Sequence, residues 1–497
     1  MSLEDKKTVF RQFLGASMSS PNVLLVILDS VRAKNTSLHD ARHETTPFLS
    51  SLAADAATQY TQARAPSQWS LPSHTSMFTG YHVPEHGVTA ADAGIRSGET
   101  IFDELNEAGY ETGLFSENPY LTSLETGLDS GFDTVAGASR EPLFEGANPD
   151  EFKGDVGGFL QAALGSGRPA RSLANGMVAK LAWDYPDLLP DRLERRLGSG
   201  TVPGSTFTDL FLDWVEGTDE PWAGCINFMD AHHPYLPNAE FDKWNDGAIT
   251  AIQQSIDSMP LGFYDGSDEW WKCELLEYLY DGTIRQLDRE VQRLVKALRE
   301  RGDFENTLLI VTSDHGEGFG ERSRLRNVRI AGHNVGETEE NLHVPLVVSH
   351  PEQDEGGVVD APATLTAIPR AVRRAVEGER DLGAFTEPPV VARTQGMLAP
   401  QQGQLSQAGI DIDPLVGESD VLYESGDDFV YKQARWNDRT LSVRSIDAAT
   451  NFTDRGVGVE RIQSVFDGFE DAGIRIEADQ DTITEATERR LENLGYR

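Results

Sequence analysis

Five short apolar runs, separated by amphipathic helical stretches, constrain this chain more than any other feature. They read "NVLLVILD" (22–29), "ETGLFS" (111–116), "AGCINFMD" (223–230), "NTLLIVTSD" (306–314) and "HVPLVVSH" (343–350). Helical patterns such as "ETIFDELNEAGY", "TFTDLFLDWVEG" and "IRQLDREVQRLVKALRERG" precede three of them, with apolar residues recurring every three to four positions. A strand that is apolar on both faces must be covered on both faces. The pattern therefore predicts an α/β layered domain around a largely parallel sheet. The rhythm breaks at 137–205, which is helical without strands. That segment reads as a helical insertion or cap over the site, or as an excursion on the far side of the sheet. Residues 350–400 read as loop-rich. After about 400 the pattern changes to short polar strands ("DVLYES", "DFVYKQARW", "RTLSVRS") and a helix from about 458, a small antiparallel C-terminal sheet with helix.

Three of the strands end in aspartate: Asp29, Asp230 and Asp314. In open α/β sheets ligands bind beyond the carboxyl ends of the strands. A single aspartate there is ordinarily a turn or cap residue. Here His315 follows Asp314, His232 and His233 follow Asp230, and His333 stands in "AGHNVGE". Carboxylates with imidazoles suit a divalent cation, with Mn²⁺, Mg²⁺, Ca²⁺ and Zn²⁺ all admitted by mixed oxygen and nitrogen ligands. Such a cation neutralises an anionic ester oxygen and acidifies a bound hydroxyl.

Ser70, in "SQWSLPSHTSMFTG" (67–80), is a candidate for that hydroxyl. A helix over 71–79 would place it where free N–H groups and the helix dipole favour an anion. Pro72 is tolerated in a first turn. On its own, Ser70 reads first as a helix cap.

Charge narrows the function classes. The chain carries 81 acidic against 43 basic residues, a net of −38, spread along its 497 residues. Only nine of the basic residues are lysines. A dispersed acidic surface suits concentrated salt, where the Debye length falls to roughly 3 Å at 1 M. A cytoplasmic protein of a halophile is expected. No basic patch is available for nucleic acid. No apolar run is long enough to span a membrane, and no secretory pattern opens the sequence. Two cysteines form neither a disulfide framework nor a zinc cluster.

Taken in order, the motifs resemble those of the sulfatases of the alkaline phosphatase superfamily. "PNVLLVILDSVRA" is similar to that family's first metal strand, and "SLPSHTSMFTGYHVPEHGV" to its nucleophile motif. "INFMDAHHPYLP" resembles its histidine loop, "NTLLIVTSDHGEGFGE" its second metal strand, and "GHNVGETEENLHVPLVV" its closing histidine segment. The resemblance covers roughly 20–350. It implies a large mixed, mostly parallel sheet flanked by helices, with a smaller antiparallel C-terminal sheet. The implied division is an N-terminal extension (1–20), a catalytic domain (21–385) and a C-terminal subdomain (386–497).

Residue by residue, the resemblance implies that Asp29, Asp314 and His315 hold one divalent metal, calcium, manganese or magnesium before zinc. Ser70 would be a further ligand and the nucleophile. His232 and His333 would hold the ester oxygens or protonate the leaving group. Asp230 and His233 would serve a possible second metal or the substrate. Arg32 and Arg324, with Arg326 and Arg329 behind them, are candidates to bind the anion.

Three positions depart from the family pattern. Ser30 stands where a second aspartate is usual. Asp314-His315 replaces aspartate-asparagine and resembles phosphonate monoester hydrolases and phosphoglycerol transferases. His74 replaces the arginine of the C/S-x-P-x-R motif that directs conversion to formylglycine, which argues against that modification of Ser70. The expected activity is metal-dependent hydrolysis of a small-molecule or glycan sulfate ester. The alternatives are a phosphodiesterase or phosphoglycerol-type transferase using unmodified Ser70, and a non-catalytic homologue that binds an anionic glycan.

Overall fold

The computed structural model describes residues 20–39, 41–137, 146–147, 149, 156–184, 202–218, 221–245, 247–256, 259–454 and 460–477. The apolar runs become the strands of one eight-stranded sheet. Its strands are β1 (Asn22–Leu28), β2 (Thr58–Tyr60), β3 (Glu111–Ser116), β4 (Thr134–Ala136), β5 (Trp222–Phe228), β6 (Thr307–Thr312), β7 (Leu346–Ser349) and β8 (Gly357–Val359). Their spatial order is β8-β2-β7-β6-β1-β5-β3-β4. The block β6-β1-β5-β3-β4 is parallel throughout, while β7 runs antiparallel to β6 and β2.

Side-chain alternation along β1 explains why the run is apolar at every position. Val23, Leu25 and Ile27 join one core cluster, and Leu24, Val26 and Leu28 join the other. On the first face lies helix α2 (Ser70–Thr79), through Leu71, Met77 and Phe78. On the second lie α5 (Gly204–Glu216) and the long α6 (Trp270–Arg301). Helix α6 presents Leu276, Leu279, Ile284, Leu287, Val291 and Leu294 to the sheet, the three- to four-residue spacing visible in its sequence.

Pairing register brings two of the three aspartates level. Ile27 lies opposite Thr312, so Asp29 and Asp314, each two residues further on, leave the sheet side by side. Leu28 lies opposite Phe228, which sets Asp230 one residue beyond Asp29.

The C-terminal sheet has five antiparallel strands: β9 (Val390–Thr394), β10 (Ser419–Ser425), β11 (Val430–Trp436), β12 (Arg439–Ser445) and β13 (Asn451–Asp454). Strand β9 corrects the loop-rich reading of 350–400. Its five residues follow two prolines and are too short to show a period, but all five pair with β10. The expected C-terminal helix is Glu460–Phe466. Of the 137–205 segment, the described part includes α3 (Val156–Gly165) and α4 (Pro169–Asp184), which pack on each other with Phe159 and Ala163 buried. Most of the rest of that segment and nearly all of the 1–20 extension lie outside the described residues. Among the described residues, no helix is long and apolar enough to cross a membrane, and both cysteines are buried and unpaired.

Candidate active site

Strand β1 delivers Asp29 to a fully buried position. The next residue, Ser30, takes φ 64°, a conformation that non-glycine residues adopt rarely and mostly where function demands it. This turn aims the Ser30 N–H at Asp314 Oδ1 (3.3 Å) and its hydroxyl at Asp29 Oδ1 (3.0 Å). Ser30 thus braces Asp29 where the family pattern has a second carboxylate.

Ser70 is the first residue of α2, not its cap. Trp69 holds the cap position and makes no side-chain cap hydrogen bond. The Ser70 hydroxyl points to the strand ends instead, 3.4 Å from Asp29 Oδ2 and 3.4 Å from His315 Nε2. The cap-or-nucleophile ambiguity in the sequence is thereby decided against the cap.

Asp29, Asp314 and His315 form the one cluster among the described residues whose ligand atoms fit a metal ion, with donor atoms within 4.8 Å of one another and all three residues buried. Asp314 Oδ1 accepts the Ser30 and His315 amides, while Asp314 Oδ2 is buried and accepts no hydrogen bond. His315 Nδ1 donates to Gly316 O (2.9 Å), which turns Nε2 toward the cluster. An unsatisfied carboxylate oxygen beside a second buried carboxylate and an inward imidazole fits a hard divalent cation. Burial raises the Asp314 carboxyl and the Asp29 charge raises it further. Burial would also raise Asp29, but the His315, His232, His74 and His333 imidazoles together hold it below its ordinary value. Burial works against the His315 imidazolium, yet Asp314 and Asp29 bring its pKa above the usual value.

Above the cluster stand His232 and His333. Their rings lie 5.1 Å apart, and His333 is 4.5 Å from His315, centroid to centroid. The spacing D-x-H-x-P-Y favours His232 as the inward histidine, and the structure places it so. His232 Nδ1 donates to His233 O at 2.9 Å. Burial, followed by the His315 and His232 charges, lowers His333 well below the ordinary imidazole value.

Six predicted residues lie elsewhere. Asp230 accepts the Gly204 amide at the start of α5 (2.9 Å) and Gln286 Nε2 (2.6 Å), so both its oxygens are committed to holding α5 and α6 together. Burial lifts its carboxyl to about 6. The His233 ring turns away against Tyr235, with burial taking its pKa down to about 3. The second-metal set is therefore not assembled. Arg32 is fully buried and its charge is matched by Glu277 Oε1 (2.5 Å) and Glu321 Oε1 (2.6 Å), with Glu317 O at 3.0 Å, so it is an internal ion-pair residue and not an anion ligand. Arg324 is exposed on a hairpin and donates to Thr453 Oγ1. Arg326 is buried against Glu337, and Arg329 pairs with Glu274.

Sequence reasoning missed three contributors and noted a fourth, His74, only as a departure from the formylglycine motif. Asn118 and Asn227 donate to Asp29 Oδ2 at 3.2 and 3.3 Å, from the ends of β3 and β5. Glu317 lies 3.4 Å from His333 Nδ1, and burial raises it to about 7. His74 Nδ1 donates to Ser70 O (2.8 Å) and lies 3.5 Å from Asp314 Oδ2. Only their positions just after apolar strands, or one turn after Ser70, could have marked them. A separate surface cavity of about 380 Å³ opens at the far end of α2 near Gly80 and Arg370, away from these groups.

Comparison with known proteins agrees with this fold. The family described as Sulfatase matches residues 21–372. The multifunctional alkaline phosphatase superfamily protein PehA of Trinickia caryophylli is 24% identical over 387 residues, covering 68% of this chain and 70% of PehA. A sulfatase of Formosa agariphila is 23% identical over 401 residues, covering 73% of this chain and 70% of its own. The fold is similar to that of the phosphonate monoester hydrolase SpPMH of Silicibacter pomeroyi, with a TM-score of 0.55, 20% identity, and coverage of 88% of this chain and 90% of that one. The chain belongs to the sulfatase family of the alkaline phosphatase superfamily and is an enzyme of the sulfatase and phosphoester-hydrolase type.

Proposed function

We propose that this enzyme hydrolyses sulfate esters of small molecules or glycans, with unmodified Ser70 as nucleophile and one divalent metal held by Asp29, Asp314 and His315. One observation carries this reading. The Ser70 hydroxyl stands at a helix N-terminus, 3.4 Å from both Asp29 and His315, beside an Asp314 oxygen that accepts no hydrogen bond. When bound, the cation lowers the pKa of the nucleophile and neutralises charge on the ester.

The residues do the rest. The first-turn N–H groups of α2 favour the sulfate oxygens. Ser70 Oγ, its proton already released to solvent, attacks sulfur as the alkoxide, the S–O bond to the alcohol breaks, and the departing alkoxide takes a proton from His333 or His232. An ester anion seated below these imidazoles favours their protonated form and reverses the depression that burial imposes on His333. Water then attacks the sulfated serine at sulfur, gives its proton to the same imidazole, and releases sulfate with Ser70 restored. Donation from His74 Nδ1 to Ser70 O fixes the first turn where the formylglycine motif has arginine.

A second reading is a phosphoester hydrolase or transferase, favoured by that same inward packing of His74 with Asp314. A serine that cannot become formylglycine forms a phosphoryl ester more readily than a sulfuryl one. Two measurements decide. Mass spectrometry of the Ser70 peptide is expected to show serine. Side-by-side assays on aryl sulfate and aryl phosphodiester are expected to favour the sulfate. Turnover of the phosphodiester alone would replace the first reading with the second. Formylglycine at Ser70 would overturn the nucleophile in both. A cytoplasmic, halophilic setting is proposed on the net charge of −38.

A further inference from the structure

Helix α7 (Glu339–Leu342) lies between the C-terminal sheet and the active site, and both of its sides are tied down. On the outer side, Lys432 of β11 donates to Glu339 Oε1 (2.8 Å) and to the Glu337 carbonyl. Tyr423 of β10 donates to Glu339 Oε1 (3.1 Å), and Arg64 pairs with Glu339 Oε2 (2.8 Å). Lys432 is 4% exposed and Glu339 7%. A lysine this deep is rare unless its charge is matched, and here the match is a carboxylate whose pKa Arg64 and Lys432 hold far below normal, burial notwithstanding.

On the inner side, Asn341 reaches the two active-site loops. Its carbonyl accepts the Gly316 amide at 2.8 Å, immediately after His315. Its side-chain amide donates to Gly332 O at 3.3 Å, immediately before His333. Contact is close enough that a Cβ at residue 316 would lie 2.0 Å from Glu340 O. A second tie reinforces the first: Arg326 joins Glu337 Oε2 (3.2 Å) to the Val416 and Gly417 carbonyls just before β10.

We propose that the C-terminal sheet is a positioning element of the active site, acting from Lys432 through Glu339 and Asn341 to set the place of His333. Neither Lys432 nor Asn341 touches the reacting atoms. The proposal rests on the reading that His333 protonates the leaving group, and it predicts a particular failure when the ties are cut. A displaced acid matters little for an ester whose leaving group departs as a stable anion, and matters greatly for one that must be protonated.

Lys432→Met and Asn341→Ala are the test, with His333→Gln as reference. Turnover is measured on esters with a good leaving group (4-nitrophenyl) and a poor one (phenyl or alkyl), with thermal melts and bound metal in parallel. For each of the three variants the poor-leaving-group substrate is expected to lose about 10- to 100-fold more kcat than the good one, the scale of general-acid catalysis. Bound metal is expected to be retained. If His333→Gln shows no such split, the leaving-group reading of His333 is wrong, whatever the other variants do. If His333→Gln shows the split while folded Lys432→Met and Asn341→Ala lose activity uniformly or not at all, the positioning role is wrong. Asn341→Ala removes one neutral side chain, so it decides the matter if Lys432→Met fails to fold.

Discussion

Replacing Asp314 with asparagine should abolish the stabilisation by metal. Asp29 and Asp314 present buried oxygens within 4.8 Å, and two charges at that distance repel by about 3.5 kcal/mol at an effective dielectric of about 20. Burial and Asp29 both push the Asp314 pKa up, so the metal-free protein sheds part of that repulsion by taking a proton. What remains for Asp314→Asn to relieve is about 1–2 kcal/mol. The asparagine Oδ1 still accepts the Ser30 and His315 amides, and its Nδ2 replaces the oxygen that accepts no hydrogen bond. In wild type, metal at about 1,000 times its Kd should add about 4 kcal/mol. For a chain of 497 residues that is about 4 °C in Tm, given an unfolding entropy near 2 cal/mol/K per residue. The assay is a calorimetric melt with chelator and with Mn²⁺ or Ca²⁺, alongside metal analysis of the purified protein. In chelator the variant should melt about 1–2 °C above wild type. With metal, wild type should rise and the variant should not. Wild-type metal affinity in Asp314→Asn, or a variant that melts well below wild type in chelator, would refute the assignment of these two carboxylates to one cation.

Four further outcomes follow from the same geometry. Ser70→Ala should abolish turnover, about 10⁴-fold or more, while metal binding by isothermal titration persists. Asp230→Ala should lower stability by about 2 kcal/mol, because it removes the cap at Gly204 and strands Gln286, and should leave metal stoichiometry unchanged. His86, buried between Ser76 Oγ and the Val88 amide, has its pKa pushed down by burial to about 3. Its contribution is complete above the unfolded-state value of about 6.5 and drains as pH falls below it. His86→Gln should therefore flatten the loss of stability between pH 6.5 and 5 in denaturant titrations. Dialysis from concentrated into dilute salt should unfold the chain, as its net charge of −38 loses screening; a full retention of secondary structure by circular dichroism there would end the halophile reading.

Much of the architecture was legible because it rests on local rules. Strands β1, β3, β5 and β6 are mostly apolar since both faces are covered, and α6 is periodic because one face is. Strand β9 was not legible. Five residues after a proline pair have no period of their own, and their identity comes from β10 alongside. Asp29, Asp314 and His315 could be read because they lie within three residues of a strand end, and strand ends are where such sheets bind ligands. The same rule misled for Asp230, one residue further out than Asp29, whose oxygens are taken by Gly204 and Gln286.

The sequence by itself determined the five apolar strands, the aspartates and histidines that follow them, and a serine at the start of the helix between the first two of those runs. Tertiary structure alone decided what those groups do to one another. Register sets Asp29 beside Asp314 and leaves Asp230 out. The turn at Ser30 and the docking of α2 direct the Ser70 hydroxyl into the cluster instead of onto its own helix. Arg32, a plausible anion ligand in the sequence, is consumed by Glu277 and Glu321 from segments more than 240 residues away. Glu339, unremarkable in sequence, becomes the anchor between the C-terminal sheet and His333. The physical reason is the same in each case. A charged or polar side chain buried in the fold takes the partner that the topology brings within reach, and that partner is set by packing across the sheet, which no local pattern of residues encodes.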